Sequence, residues 1–422
     1  MESKIDTITQ IAKKIERYNG RLYLVGGCIR DELLQLPIHD YDCCITGLTS
    51  DIFLSLFPHA KTIGKHFPVF LLDGIEFALA RKEKKIAKGH LGFNMYSDKT
   101  IMIEEDLKRR DITINAIAKD VLTGEFIDPF HGIFDLKNGI IKHVSEAFVE
   151  DPLRAYRVAR FACTYQFQVH DSTYQLMKLL KEELSELSVE RVFQELRKSL
   201  QSPKPSIFFD TLKQADILDV HFPEIFNLLH VPQPEQYHPE GDVYQHTMCV
   251  LDKVAQKTND EVIRFCALTH DFGKAYTPKE ILPRHIHHEI VGLEIIKDFC
   301  NRLHMPTIWK KKAIACCKYH MKAGICHQMK SSKLASFLNE VNHSSITLSE
   351  LNMISNADDM LQRKHFSYAS LGKDMLQTVN GKTLRKDEIT LEKLGIKKFK
   401  QILHQKQTEF IKREREHYLE ES

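Results

Sequence analysis

A chain of 422 residues with 43% hydrophobic side chains exceeds one ordinary core, so two or three domains are expected. Lys and Arg total 59 against 57 Asp and Glu, a formal net charge of +2, which excludes a uniformly basic nucleic-acid binder; any RNA contact must rest on local clusters. The ten cysteines lack any CxxC spacing, the start MESKIDTITQ has no apolar signal-peptide core, and no run reaches membrane-spanning length, so the chain reads as a reduced, cytoplasmic protein with no membrane partner.

In chain order, Leu22–Val25, Cys43–Thr46, Val69–Leu72 and Ile75–Leu79 are predicted strands, bounded by Gly, Asp and Pro. The apolar spacing of Leu107, Ile114 and Ile117 predicts a helix over Leu107–Ala118, with Arg109 and Arg110 at its start. From about residue 136 the pattern turns helical. Pro152–Tyr165 and Val189–Leu200 are predicted helices, the second closed by Pro203 and Pro205. Val231–Pro239 holds three prolines and separates this part from an all-helical, histidine-rich remainder that ends in a basic helical tail, Lys397–Arg415.

The strongest local signal lies at Leu22–Asp42. A strand runs into Gly26-Gly27, where the backbone can approach a ligand closely, and a helix then begins near Cys28. Its free N–H groups suit a triphosphate, and Arg30, one turn in, offers a charge-assisted bond to phosphate. No Gly-Lys-Ser/Thr follows, so this is not a P-loop. Asp40 and Asp42, two apart at a strand start, share one face by alternation. Two hard carboxylates with substrate phosphates are the donor set of magnesium, and two such ions can serve both ends of an in-line displacement. An isolated Asp-x-Asp is usually a solvated turn; the preceding Gly-Gly-x-x-Arg-Asp reverses that preference here.

Arg109-Arg110-Asp111, followed by Thr113 and Asn115, fits a surface cluster or a phosphate contact equally well; cations at a helix start are unfavourable unless an anion binds there. Glu150-Asp151-Pro152-Leu153-Arg154 continues to Arg157 and Arg160, three arginines drifting slowly around one helical face. That stripe fits a solvated face or a nucleotide contact. Asp151 as acceptor and Arg154 as donor fork could imitate a complementary base edge.

Together these blocks, with AspProPheHisGlyIlePheAspLeu and GluArgValPheGlnGlu downstream, resemble the class II tRNA nucleotidyltransferase and bacterial poly(A) polymerase superfamily, in order and through Leu200. The resemblance implies an α+β fold: a small mixed-sheet nucleotidyltransferase head (1–135), an all-α neck and body (136–230), and an all-α domain with the tail (231–422). It implies that Gly27 and Arg30 bind the nucleoside triphosphate and that Asp40 and Asp42 hold Mg2+. It further implies that Arg110, Arg157 and Arg160 contact the nucleotide and that Asp151 and Arg154 select C or A.

In the C-terminal half, His246, His270-Asp271 and Asp358 can ring a divalent transition metal such as nickel, manganese or zinc. The pattern resembles HD-domain phosphohydrolases. His285, His287 and His288 read as surface residues, and Met321 stands after His320 where an acid is the expected helper. A head of this type joined to an HD domain is similar to CCA-adding enzymes of gammaproteobacterial type, which implies addition of CCA to the tRNA 3′ end from CTP and ATP. It also implies 2′,3′-cyclic phosphodiesterase, 2′-nucleotidase and phosphatase activity with Ni2+ as the expected HD ion, no DNA partner, and a monomer or homodimer. A-only, CC-only and poly(A)-polymerizing enzymes share the head motifs, and an RNA-binding HD phosphohydrolase is the alternative from another class. RNA phosphates are expected at three basic clusters: a loop with Arg81, Lys82, Lys84, Lys85 and Lys88; Lys310–Lys312 with Lys318 and Lys322; and the tail.

Overall fold

The computed structural model describes residues 4–63, 68–85, 93–96, 98–359, 367–386 and 391–418. These form two compact units. The first comprises Met1–Ser188 with Ile207–Val220; the second comprises Val189–Ser206 with His221–Ser422.

The first unit opens with helix α1 (Lys4–Glu16), which buries Ile8, Ile11 and Ile15. Strand β1 (Arg21–Val25) follows, then α2 (Gly27–Leu33), β2 (Asp42–Thr46) and α3 (Ser50–Leu56). Next come β3 (Lys61–Ile63), β4 (Val69–Leu72) and β5 (Ile75–Leu79). Strands β6 (Lys82–Lys85) and β7 (Phe93–Tyr96) pair as an antiparallel ribbon, so part of the expected basic loop is strand; Lys88, Gly89 and Gly92 lie outside the described residues. The sheet is completed by β8 (Ala118–Asp120) and β9 (Phe126–Ile127). Its order is β3-β4-β5-β2-β1-β8-β9, with β2 and β5 parallel and β1 antiparallel to both neighbours. The mixed sheet expected from the sequence is therefore present.

Alternation along β1 explains why this strand is central. Leu22 and Leu24 join α1, Cys43, Ile45 and Phe53 on one face, whereas Tyr23 and Val25 join Cys44, Ile101 and Leu107 on the other. Phe53 is fully buried, and burial of that size contributes roughly 2–3 kcal/mol.

The predicted helix Leu107–Ala118 is not formed. Helix α4 spans Ile103–Lys108, a 3-10 turn follows at Thr113–Asn115, and β8 begins at Ala118. The break has one local cause and one distant one. Asp111 Oδ1 accepts from its neighbour Ile112 N at 2.9 Å, and Thr113 N donates to Lys142 O rather than back along a helix. Ile112, Ile114 and Ile117 are all buried, so the periodic apolar positions serve a winding segment instead. Farther on, α5 (Gly132–Lys137) precedes α6 (Leu153–Tyr165), which begins one residue after its predicted start, with Pro152 at the position before it.

The second unit is helical. Val189–Leu200 is a helix as predicted. Asp242 caps Val243–Ala255 and Asp260 caps Glu261–Thr269 by accepting first-turn N–H groups. Helices His288–Arg302, Thr307–Gly324 and Leu348–Asp358 complete the packing around Phe265, Phe299 and Trp309. Val231–Pro239 has no regular element. The tail Leu391–Glu414 is helical apart from Gly395, at φ 73°. All ten cysteines are free thiols, and no helix among the described residues is long and apolar enough to cross a membrane.

Candidate functional site

In the first unit, the turn after β1 opens a cavity of ≈ 470 Å³, within the size range of ligand pockets. It is lined by Gly26, Gly27 and Asp42, by six arginines (30, 109, 110, 154, 157 and 160) and by Asp111 and Asp151. Six guanidinium groups against three carboxylates make a receptor for a polyanion. The sequence-predicted residues Gly27, Arg30, Asp42, Arg110, Asp151, Arg154, Arg157 and Arg160 thus meet in one place, although they run from position 27 to position 160 of the chain.

Gly26 is required by geometry. Its φ of 72° and ψ of −126° favour glycine, and a Cβ there would lie 2.8 Å from Arg110 Nη1 and 3.7 Å from Asp42 Oδ2. Helix α2 starts immediately after it, and its first-turn N–H groups have no intrahelical acceptor.

The arginines are held by a buried polar network. Arg30 donates from Nη1 to Asn115 Oδ1 at 2.6 Å and from Nε to Asp31 at 3.0 Å, with the Phe161 and Tyr165 rings beside it. Asn115 donates to Asp111 Oδ1 at 3.2 Å, and Arg157 donates to Asp111 Oδ2 at 2.8 Å. Arg154 is fixed by bonds from its two terminal nitrogens to the carbonyls of Ala147 and Arg109, at 2.6 and 2.7 Å. Arg160 lies over the Phe161 ring at 3.9 Å. Asp151 accepts from Leu153 N at 3.1 Å, holding the start of α6.

Arg109 and Arg110 follow the end of α4 rather than begin a helix, so the dipole that was expected to oppose them favours them. Asp106 pairs with both, at 2.8 Å to Arg109 and 3.2 Å to Arg110. Burial would raise the Asp106 carboxyl, but the two guanidinium groups outweigh it and hold the pKa below its ordinary value. Arg110 Nε is buried without a hydrogen-bond partner.

Asp42 is the first residue of β2, whereas Asp40 precedes the strand and lies outside the cavity lining. Only Asp42 of the pair belongs to the strand. The Asp40 charge still reaches Asp42. Asp42 keeps its edge exposed, but partial desolvation by the pocket walls raises its pKa, Arg110 lowers it, and Glu76 and Asp40 push it up further. Glu76 escaped the sequence reading because only sheet register brings it to Asp42. The head offers carboxylate oxygens alone, which suits a hard divalent ion completed by phosphate oxygens.

In the second unit, ligand atoms of His246, His270, Asp271 and Asp358 all lie within 4.8 Å of one another. His246 Nε2 is 2.9 Å from Asp358 Oδ1, and His270 Nε2 is 3.2 Å from Asp271 Oδ2. His246 Nδ1 bonds Glu240 Oε1 at 2.6 Å and His270 Nδ1 bonds Ala267 O at 2.7 Å, which leaves both Nε2 atoms as acceptors aimed inward. Neither Nε2 nor either Asp271 oxygen makes a well-formed hydrogen bond, although all are buried. Buried nitrogen and oxygen donors converging in this way fit a divalent ion. Lys274 Nζ stands 2.6 Å from Asp271 Oδ2.

His288 corrects the sequence reading. It is buried, with Nε2 3.1 Å from Asp271 Oδ1, because Gly273 lets the helix that starts at His288 approach the Asp271 turn. His287 is exposed as expected, and His285 is half-buried against Thr277 and Pro232. Met321 is exposed, while His320 itself faces Asp271 at 3.4 Å. Among the lysines of the second basic cluster, Lys312 pairs with Glu350, Lys322 with Glu340, and Lys310 donates to Asn301, so that cluster is largely internal pairing.

Three family models match the chain: the poly A polymerase head domain over residues 22–142, the probable RNA and SrmB-binding site of polymerase A over 166–229, and the HD domain over 242–399. The chain is 44% identical over 331 residues to the multifunctional CCA protein of Mannheimia succiniciproducens, covering 76% of this chain and 78% of that protein. It belongs to the multifunctional CCA protein family. The relative from Methylobacillus flagellatus is also 44% identical, over 325 residues, with the same two coverages. Among solved structures, a CCA-adding enzyme in complex with CTP shares the fold with a TM-score of 0.66 at 23% identity, covering 98% of this chain and 95% of that one. The Thermotoga maritima CCA-adding enzyme complexed with tRNA_CCA does so with a TM-score of 0.66 at 21% identity, covering 97% and 92%. Family membership and the head and HD models show a nucleotidyltransferase that also carries a metal-dependent phosphohydrolase domain.

Proposed function

We propose that this chain adds CCA to the 3′ end of tRNA from CTP and ATP, releasing pyrophosphate, and that its HD domain hydrolyses 2′,3′-cyclic phosphates, 2′-nucleotides and related phosphoesters. One observation carries the reading: the arginine-rich cavity beside Gly26 and Asp42, which joins a phosphate-sized anion receptor to an acidic edge.

Asp40 and Asp42 hold Mg2+, with Glu76 at hand beside Asp42. When bound, these ions lower the pKa of the tRNA 3′-hydroxyl and neutralise the leaving pyrophosphate. The chain's own residues do the positioning. The Gly26-Gly27 turn gives the triphosphate close access to backbone, with Arg30 behind it. Arg110, Arg157 and Arg160 spread positive charge along the nucleotide, and pairing with Asp106 and Asp111 fixes the first two before substrate arrives. The 3′-oxygen attacks the α-phosphorus, the bond to the bridging oxygen breaks, and pyrophosphate departs; catalysis is chiefly orientation and charge stabilisation. Asp151 and Arg154 discriminate C and A by hydrogen bonds to the base edge, helped by the fixed Arg154 guanidinium.

His246, His270, Asp271 and Asp358 hold the HD-domain ion, for which the nitrogen-rich donor set suits Ni2+. The working division is a head at 1–135, a neck and body at 136–230 and the HD domain with tail at 231–422. The enzyme acts in the cytoplasm as a monomer or homodimer, and its ten free thiols fit a reducing compartment.

The test separates the centres. Asp42→Ala abolishes CMP and AMP addition and leaves cyclic-phosphate hydrolysis intact; His270→Ala does the reverse. Loss of both activities in a folded Asp42→Ala protein contradicts two centres, and a normal hydrolysis rate in His270→Ala removes the HD metal assignment.

A further inference from the structure

Phe161 lines the arginine-rich cavity, and three of the cavity's guanidinium groups gather on its ring. The Cζ atoms of Arg160, Arg30 and Arg157 lie 3.9, 5.4 and 5.4 Å from the ring centroid. All three fall inside the ~6 Å reach of a cation–π contact. Helical spacing explains part of the cluster. Arg157 and Phe161 are neighbours on one face of α6, and Tyr165 continues that face. Arg30 arrives from α2 and lies beside both the Phe161 and the Tyr165 rings, which are nearly parallel at 13°.

Three like charges in one place repel. Asp31 and Asp111 offset Arg30 and Arg157. Another carboxylate would steady the group further, but it would also repel a triphosphate. An aromatic ring has a negative face and a positive edge that sum to zero. It therefore attracts cations without lowering the net charge that an approaching polyanion meets. Phe161 is 5% exposed, so water screens these contacts little. Packing alone would be served by any apolar side chain of this size. It does not account for three guanidinium groups on one ring, when such contacts occur about once per 70–80 residues.

We propose that Phe161 is a positioning residue of the nucleotidyltransferase centre: its ring face gathers Arg30, Arg157 and Arg160 into a preformed receptor for the nucleotide's polyphosphate. The assignment rests on the nucleotide reading of this cavity. Phe161 acts through the arginines. They meet the triphosphate charge in the bound substrate and in the transition state alike, so the effect falls on KM for CTP and ATP rather than on kcat.

The test alters the charge distribution of the ring while keeping its shape. In the full-length protein, Phe161 is replaced by mono-, di- and trifluorinated phenylalanine, which withdraw electrons from the ring face stepwise at nearly constant volume. Phe161→Leu removes the ring, and Phe161→Tyr keeps it. KM and kcat are measured for CMP addition to truncated tRNA and for AMP addition to tRNA ending in CC, beside thermal unfolding midpoints. KM is expected to climb with each fluorine, reaching roughly tenfold in the trifluorinated protein and at least that in Phe161→Leu. In all of these kcat stays within about threefold, and Phe161→Tyr stays close to the parent. A KM that is flat across the fluorinated series, or a fall in kcat at unchanged KM, overturns the assignment and leaves the nucleotide cavity standing. A folded parent that incorporates neither nucleotide overturns the reading of the cavity, and this assignment with it. The fluorinated series decides the matter even if Phe161→Leu fails to fold, which its unfolding midpoint reports.

Discussion

Asp42 and Glu76 are register partners on the adjacent parallel strands β2 and β5, so their side chains leave the sheet on the same face. The Glu76 charge helps raise the Asp42 pKa, after burial and against Arg110. In the proposed reading, a third carboxylate near Asp42 would strengthen the hold on magnesium. Glu76→Gln is expected to lower CMP addition roughly 10–100-fold, the usual range for a supporting group at a metal site, and to raise the magnesium concentration needed for half-maximal rate. An unchanged magnesium dependence contradicts this role.

Gly26→Ala combines two penalties. The backbone conformation at φ 72° disfavours a side chain, at a cost of about 1–3 kcal/mol, and the new Cβ would press on Arg110 Nη1. Addition activity is expected to fall at least about 100-fold, since displacement of a positioning group by 1 Å has that effect, while the fold survives. Incorporation assays beside thermal unfolding separate the two consequences.

Asp106 is buried and anchors Arg109 and Arg110. Its neutralisation strands two guanidinium groups. Because those side chains are about a fifth exposed, Asp106→Asn is expected to cost about 2–3 kcal/mol, below the roughly 3–5 kcal/mol of a wholly buried pair. Urea unfolding measures it; a change under about 0.5 kcal/mol would show that the pairs are incidental.

Asp111 makes the stability of the first unit sensitive to acid. Burial alone would raise its pKa, but Arg157 and the hydrogen bond from Asn115 hold it below the ordinary 3.8. A depressed folded pKa stabilises the fold above the unfolded value, and that contribution disappears as pH falls through the folded value. Unfolding midpoints should therefore fall as pH drops below about 4, and Asp111→Asn should flatten that slope while lowering stability at neutral pH. An identical acid slope in the variant contradicts the linkage.

Glu240 accepts from both His238 and His246, the latter at 2.6 Å, and despite burial those bonds hold its pKa at about 2. By fixing the His246 tautomer it turns Nε2 toward the proposed metal position. Glu240→Gln is expected to weaken metal affinity roughly 10–100-fold, read by competition with a chelating dye.

Much of this was legible in the sequence because it is local. The four strands from Leu22 to Leu79 and the helices at 153–165 and 189–200 carry their own periodicity and breakers. The Gly-Gly turn and the arginine stripe of α6 are likewise contiguous signals. What escaped was set at long range. The spacing of Leu107, Ile114 and Ile117 imitated a helix, but a pairing with Lys142 and the Asp111 side chain bent the chain otherwise. Glu76 is beside Asp42 only through sheet register. His288 and His320 lie on different helices and meet at Asp271, which no spacing rule reports; the nearest signal was that Gly273 follows His270-Asp271 so closely.

The most direct measurement is nucleotide incorporation into tRNA truncated before its CCA end, with CTP and ATP supplied separately and together. The expected result is two C residues with CTP alone and a complete CCA end with both, pyrophosphate appearing in step. A ladder of A residues, products limited to CC or to a single A when both nucleotides are present, or no incorporation without loss of fold, would contradict it.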